Sequence, residues 1–304
     1  MTIMENKLPL VSVVMPVYNA RLFVADAIES ILSQTYQNFE LVIVDDHSKD
    51  NSREIIESYQ KRYPNKIRVI YLSKTLDKSG DCATNTAIKQ ARGTYIAKMD
   101  ADDIASPLRL EKQVEFLEAH KDIFLVGTQA YVIDRDGNNI GEKHNPTTHN
   151  EIYNQYFLYN CIIHPSIMFR SEGQKEQFYD IAFPCFNEYW TFFKYMTEGK
   201  KFANLEEPLL FYRLHGKNDT FTHIKKKFMS TLSIKKSFIA KLGYKPSFKQ
   251  VIVTILQSIV VFSMPEKALL FVYLLCRNVI SYQSILQNIK LNKLQSIPLF
   301  QTNN

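Results

Sequence analysis

From Leu10 to about Ile133 short apolar runs alternate with segments whose apolar residues recur at helical spacing. VSVVMPV (11–17), ELVIVDD (40–46), IRVIYL (67–72) and TYIAKMD (94–100) have the length and β-branched content of buried strands. Between the first two, ARLFVADAIESILSQ places Val24, Ile28, Ile31 and Leu32 on one helical face. Asn51, with Glu54 three positions on, signals a helix start that runs through REIIESYQKRY and stops at Pro64. GDCATNTAIKQA reads as the next helix, and Ser106-Pro107 opens another, on which Leu110, Val114 and Leu117 share a face. Strands and helices alternating at this pitch predict an α/β fold: right-handed crossovers and a mostly parallel sheet with helices on both faces.

Beyond this region the pattern changes. IFLVGTQAYVID (123–134) with the Asp136-Gly137 turn predicts a hairpin. Residues 141–185 are aromatic-rich and carry no clear period, so they read as loop-like. A helix from about Asn187 to Glu198 and a strand around PLLFYRLH (208–215) close the body. The remainder is helical, with QVIVTILQSIVVFSM (250–264) and ALLFVYLLC (268–276) split by Pro265-Glu266-Lys267. The expected division is a main domain over 1–216 and a basic, apolar helical C-terminal extension over 217–304.

Charge sharpens that division. Residues 217–304 hold 13 Lys/Arg against only Asp219 and Glu266, whereas residues 1–216 are net negative in a chain of formal charge +6. Neither apolar piece of the extension reaches the ~20 residues of a clean membrane span. Basic residues beside apolar helices fit a membrane interface, and a contact through 217–290 is one expectation. A helical subdomain packed on the body with a solvated lysine face is the other. No nucleic-acid module accompanies the basic stretch, so a nucleic-acid partner is not expected. Cys82, Cys161, Cys185 and Cys276 are scattered, without zinc or disulfide spacing, which suits a reducing cytosol. The N-terminal apolar run is interrupted by Pro9 and Pro16 and reads as a first strand, not a signal peptide. A cytoplasmic location, peripheral on the inner face of the cell membrane, follows as the expectation.

Candidate chemistry gathers where strands end. In parallel α/β sheets ligands bind beyond the carboxyl ends of the strands. Tyr18-Asn19, Asp45-Asp46 and Asp100-Ala101-Asp102-Asp103 occupy three such ends. Carboxylates as close as Asp100, Asp102 and Asp103 repel one another unless something positive neutralises them. Hard oxygen donors select Mg²⁺ or Mn²⁺, and such sites combine one or two carboxylates with substrate phosphates. A plain acidic loop capping the next helix is the bland alternative. Asp45 and Asp46 could accept hydrogen bonds from a base or ribose, or could simply form a turn.

Several spaced motifs occur in one order along the chain. PVYNARLFVADAIESILSQTYQNFELVIVDDHSKDNS, then Gly80 and Asn85, GTYIAKMDADDIASPLRLEKQVEFL and EPLLFYRLH resemble the family 2 glycosyltransferases of GT-A, Rossmann-like fold over roughly residues 8–215. The resemblance implies inverting transfer of a single sugar from a nucleotide diphospho-sugar, expected to be a UDP-sugar, with Mn²⁺ or Mg²⁺. It implies a glycan or lipid-linked acceptor, and a hexosyl- or N-acetylhexosaminyl-transferase in surface polysaccharide or lipopolysaccharide biosynthesis. By the same resemblance Pro16, Val17 and Tyr18 line the nucleotide, Asp46 holds the base edge and Asp45 lies close by. Asp100 and Asp102 match the family's D-x-D, with Asp102 the direct metal ligand and Asp103 orienting the loop or touching the sugar. His215 in YRLH is a candidate third ligand, and Arg213 a candidate phosphate clamp through its planar fork.

Inversion needs a general base opposite the leaving group. In the family it is the second acid of a Glu-Asp pair opening a helix, and here Asn187-Glu188 stands at that place. Glu188 is therefore the candidate base, one methylene longer than Asp; stabilising a helix N-terminus is its other possible role. Asn187 reads as an N-cap. Arg109 either pairs with the carboxylates or is an exposed helix cation, and His164 either faces the acceptor or serves a turn. Trp190 is the only tryptophan, so the Q-x-x-R-W signature of processive synthases is absent. Two rival functions remain at this stage. One is a sugar nucleotidyltransferase, against which PVYNARLF lacks the expected glycine; the other is a catalytically silent sugar-nucleotide-binding relative.

Overall fold

A computed structural model describes residues 8–76, 80–172, 177–215, 223–266 and 268–269. Among the described residues a nine-stranded sheet runs in the order β3 (Ile67–Tyr71), β2 (Phe39–Asp45), β1 (Val11–Val17), β4 (Tyr95–Lys98), β8 (Met168–Arg170), β6 (Ile123–Ile133), β9 (Lys201–Arg213) and β5 (Ile104–Ala105), with β7 (Asn139–Lys143) paired to β6. β1 (Val11–Val17), β2 (Phe39–Asp45), β3 (Ile67–Tyr71) and β4 (Tyr95–Lys98) are mutually parallel. Helices α1 (Val24–Leu32), α2 (Ser52–Arg62) and α3 (Asp81–Gln90) make the crossovers. After the two-residue β5 (Ile104–Ala105) and α4 (Arg109–Ala119), β6 (Ile123–Ile133) and β7 (Asn139–Lys143) form the hairpin expected at Asp136-Gly137.

Alternate residues of each inner strand serve opposite faces, which is why these strands read as unbroken apolar runs. Val11, Val13 and Met15 of β1, with Leu41 and Ile43 of β2, pack under α1, α2 and α4. Val14, Val42 and Val44 point the other way and join a second core with α3 and a set of aromatic rings. Each such aliphatic side chain contributes roughly 1.5–3 kcal/mol by leaving water.

Residues 141–185 are not the structureless stretch that the sequence suggests. They contain α5 (His149–Tyr156), a 3₁₀ turn (His164–Ser166) and β8 (Met168–Arg170). β8 runs antiparallel between β4 and β6, so three residues join the parallel half of the sheet to its mixed half. Thr148 caps α5 reciprocally with Glu151. β9 (Lys201–Arg213) begins earlier than the strand expected at 208–215 and runs parallel to β6.

α6 (Asn187–Thr197) starts where expected, but Asn187 is not its N-cap; Phe186, at φ 61°, takes that position. The Asn187 amide instead accepts from the backbone of Ala182 and Phe183 and donates to Asp81. α7 (Ile224–Leu242) lies on α6, with Ile234 and Phe238 fully buried in the second core. The Phe238 ring centroid is 4.1 Å from that of Phe193 and 5.9 Å from that of Trp190. α8 (Phe248–Ser263) packs behind α7. Among the described residues no helix is long and apolar enough to cross a membrane. Residues 270–304, including Cys276 and most of the apolar piece 268–276, lie outside the described residues.

Candidate active site

The parallel register brings the predicted residues to one rim. Val17 stands opposite Asp45, and the Asp46 amide donates to the Val17 carbonyl at 2.8 Å. Pro16 lies beside Gly80, whose φ of +76° opens α3. Tyr18 is 54% exposed at the end of β1, an uncovered ring at the mouth of the sheet. Asp45 and Asp46 are both buried. Asp45 accepts from the Ser48 amide and faces Arg53 at 3.6 Å, so it serves the turn after β2. Asp46 accepts from the Leu76 amide at 2.9 Å, tying the end of β2 to the segment after β3.

The aspartates after β4 are crowded together. Asp100, Asp102 and Asp103 each offer a carboxylate oxygen within 4.8 Å of the others. Burial, then the charges of Asp102 and Asp100, push the Asp103 carboxyl well above the usual carboxylate range. Its Oδ1 accepts from the Arg213 amide at 2.8 Å, while Oδ2 is buried with no hydrogen-bond partner among the described residues. On the rim, Asp102 Oδ2 lies 2.9 Å from His215 Nε2, and the His215 ring stacks on Phe23. Three carboxylates this close, one with an orphaned oxygen, could hold a hard divalent cation, and the His215 imidazole borders them through Asp102.

Three basic side chains surround this loop, each with its own task. Lys98, the last residue of β4 and almost fully buried, pairs with the Asp100 carboxylate. Arg213 does not present a free fork to a phosphate: Nε donates to the Asp102 carbonyl, Nη1 to the Arg135 carbonyl and Nη2 to Asp26. It thereby fastens the aspartate loop to β9 and α1. Arg109 is neither exposed nor ion-paired with the aspartates. It is fully buried and donates to the carbonyls of Lys98 at 2.6 Å and Ile167 at 3.4 Å, holding the end of β4 against the 3₁₀ turn.

Glu188 lies in the first turn of α6, partly buried. Asp81, His164 and Glu188 each bring a ligating atom within 4.8 Å of the other two. Burial, then the Asp81 charge, raises the Glu188 carboxyl to about 8; Asp100 also raises it and Lys98 opposes. The effect of Lys98 and Asp100 on Glu188 joins this group electrostatically to the aspartate loop. His164 donates to or accepts from Tyr179 Oη at 2.7 Å, and burial beside Lys98 holds it well below its ordinary value, so the ring is neutral.

A model of the glycosyl transferase family 2 matches residues 12–196. The chain belongs to this family. An uncharacterized glycosyltransferase of Methanocaldococcus jannaschii is 36% identical over 226 residues, covering 73% of this chain and 77% of the relative. A UDP-Glc:alpha-D-GlcNAc-diphosphoundecaprenol beta-1,3-glucosyltransferase of Escherichia coli is 30% identical over 208 residues, covering 68% and 78%. Other relatives are named for O-antigen and teichuronic acid biosynthesis. Among solved structures, S. aureus TarS 1–349 in complex with UDP-GlcNAc superimposes with a TM-score of 0.62 at 18% identity, covering 80% of this chain and 70% of that one. That likeness carries the GT-A fold.

Within this family 2 chain, the sequence alone does not single out Asp81 or Lys98. Lys98 leaves one trace, a charged residue in an otherwise apolar strand. Asp81 leaves less, because an acid in the first turn of a helix is ordinary dipole complementation. Its burial at 1% exposure and its approach to Glu188 appear only when α3 and α6 meet.

Proposed function

We propose that this family 2 chain transfers one sugar from a nucleoside diphospho-sugar, a UDP-sugar, to a hydroxyl of a glycan or lipid-linked acceptor, with inversion, during surface polysaccharide assembly. The observation that supports this most is Glu188, a carboxylate of raised basicity at the head of α6 that feels the charges of Lys98 and Asp100 beside the aspartate cluster. The activity for which the Escherichia coli relative is named, and the UDP-GlcNAc bound by TarS, support the donor and acceptor classes. Hexosyl or N-acetylhexosaminyl transfer fits both names.

In this proposal Tyr18 and Val17 border the nucleotide at the end of β1. Asp100, Asp102 and His215 would hold a Mn²⁺ or Mg²⁺ ion. When bound, that ion neutralises the negative charge of the diphosphate leaving group. Asp103 and Arg213 keep the loop in register, and Arg109 fixes the end of β4 beneath it. Glu188 accepts the proton of the attacking hydroxyl, and its raised pKa makes it a stronger base than a solvated carboxylate. His164 and Tyr179 form a neutral wall beside it.

The test is incubation with a panel of nucleotide sugars and Mn²⁺, with and without lipid-linked and glycan acceptors. Acceptor-dependent release of nucleoside diphosphate is the expected result. Pyrophosphate release would instead mark a nucleotidyltransferase, and donor binding without turnover across the panel a silent relative.

A further inference from the structure

α8 is built inside out. In a helix packed on a soluble body the apolar stripe faces the core and the polar one faces water. Here Phe248, Ile252, Ile255, Leu256, Ile259 and Phe262 are exposed, from 39% to 81%. Four polar residues of the same helix turn inward, while Lys249 and Ser263 near its ends are exposed. Gln250 is buried and donates to the Asn154 carbonyl at 2.9 Å, Thr254 Oγ1 accepts from the buried Lys235 ammonium at 3.4 Å, and Gln257 and Ser258 are partly covered.

These polar contacts fix which way the helix faces. Ser247 and Gln250 cap α8 reciprocally, Tyr244 Oη donates to Gln250 Oε1, and Lys235 also donates to the Leu158 carbonyl. Rotating α8 to hide its apolar stripe would take Gln250 from the Asn154 carbonyl and Thr254 from the buried Lys235 ammonium, setting apolar side chains against those polar groups. The outward stripe is therefore held in place by the body of the enzyme.

The charge around it is mostly positive, with Glu266 just past its end as the exception. Residues 224–263, which span α7 and α8, contain eight lysines and no Asp or Glu. Lys245 and Lys249 flank the start of α8, and Lys225 reaches the Phe262 carbonyl at its end. An apolar stripe sixteen residues long, too short to span a bilayer and bracketed by cations, suits an orientation parallel to an anionic lipid surface.

We infer that the outward face of α8 is a membrane-docking surface, which seats its apolar stripe among the acyl chains of an anionic bilayer while the flanking lysines contact the headgroups. This goes beyond the transfer reaction and does not depend on it. A water-soluble active site would thereby be held at the surface where a lipid-linked acceptor resides.

The test uses the full chain with vesicles of phosphatidylcholine alone or mixed with phosphatidylglycerol. The wild type should co-sediment with the anionic vesicles at least tenfold better than with the neutral ones, and the binding should weaken as salt rises. Ile255→Gln/Leu256→Gln/Ile259→Gln should lower partitioning at least tenfold while leaving circular dichroism and nucleotide binding unchanged. Lys225→Gln/Lys245→Gln/Lys249→Gln should flatten the salt dependence. As a measurement independent of the triple variant's folding, Leu256→Trp should show an emission blue-shift on adding anionic vesicles. No association of the wild type, full binding by the apolar-to-Gln triple variant, or no blue-shift would overturn the inference. So would light scattering that shows a dimer dissociated by the same triple substitution, since the face would then belong to a second copy.

Discussion

Replacing Glu188 by Gln tests the base and its surroundings in one variant. The change keeps the shape of the side chain and removes its titration. In the folded protein the carboxyl sits at about 8, against 4.5 for an ordinary glutamate. Below pH 4.5 both states of the chain are protonated there and the contribution to stability is complete. Between 4.5 and 8 the unfolded chain has released a proton that the folded chain retains, so stability falls as pH rises, by about 1.4 kcal/mol per unit. By pH 8 the loss is on the order of 4 kcal/mol. The Glu188→Gln variant, with no proton to release there, does not suffer it. In metal-free, ligand-free protein the variant should match the wild type near pH 4.5 and exceed it in Tm by roughly 8 °C at pH 8, at about 2 °C per kcal/mol. Transfer should respond in the opposite sense: kcat should drop about 10²–10⁴-fold while donor affinity is retained. The wild-type kcat/KM should rise with pH through about 8, as Glu188 loses its proton. Thermal melts across pH and a nucleotide-release assay read the two effects separately. Parallel stability curves for the two proteins would refute the buried, Asp81-facing environment, and undiminished transfer by the variant would refute the base.

Four further outcomes follow from particular contacts. Asp81→Asn removes the charge nearest Glu188 in effect, so the midpoint of the kcat/KM profile should move about one unit toward lower pH; an unmoved profile would dissociate the two residues. Asp102→Ala should abolish Mn²⁺ binding by calorimetry and lower cation-dependent transfer by at least about a hundredfold. Gly93→Ala would set a Cβ 2.6 Å from the Ser12 amide nitrogen and 2.7 Å from the Leu10 and Tyr95 carbonyl oxygens. Because those atoms are backbone, the urea midpoint should fall by the equivalent of about 2–3 kcal/mol. Phe238→Ala should cost about 3–5 kcal/mol and perturb Trp190 fluorescence within a single unfolding transition; an early transition leaving Trp190 unchanged would make α7 a separate unit.

Much of the body was open to inspection as sequence, because two-sided burial writes a parallel strand as an unbroken apolar run. β1 to β4 and their helices fall where periodicity places them, and the aspartates after β4 stand out because like charges are rarely crowded without cause. The 141–185 region resisted for the converse reason. β8 is three residues long and owes its existence to the gap between β4 and β6, and α5 is an eight-residue helix whose apolar side is mostly tyrosine. Neither is long enough to display a period.

By itself, then, the chain determined the layer order of its first half, the metal-type carboxylate cluster and the acid at the head of α6, since each is a local pattern of residue types. Tertiary structure decided the employment of the remaining polar groups. It turned Arg213 and Arg109 into internal fasteners, brought Asp81 against Glu188 across 107 positions, and pointed the apolar stripe of α8 outward. Such roles depend on what a side chain meets after burial, and the energy of a charge or an apolar surface is set by those surroundings, which no local window contains.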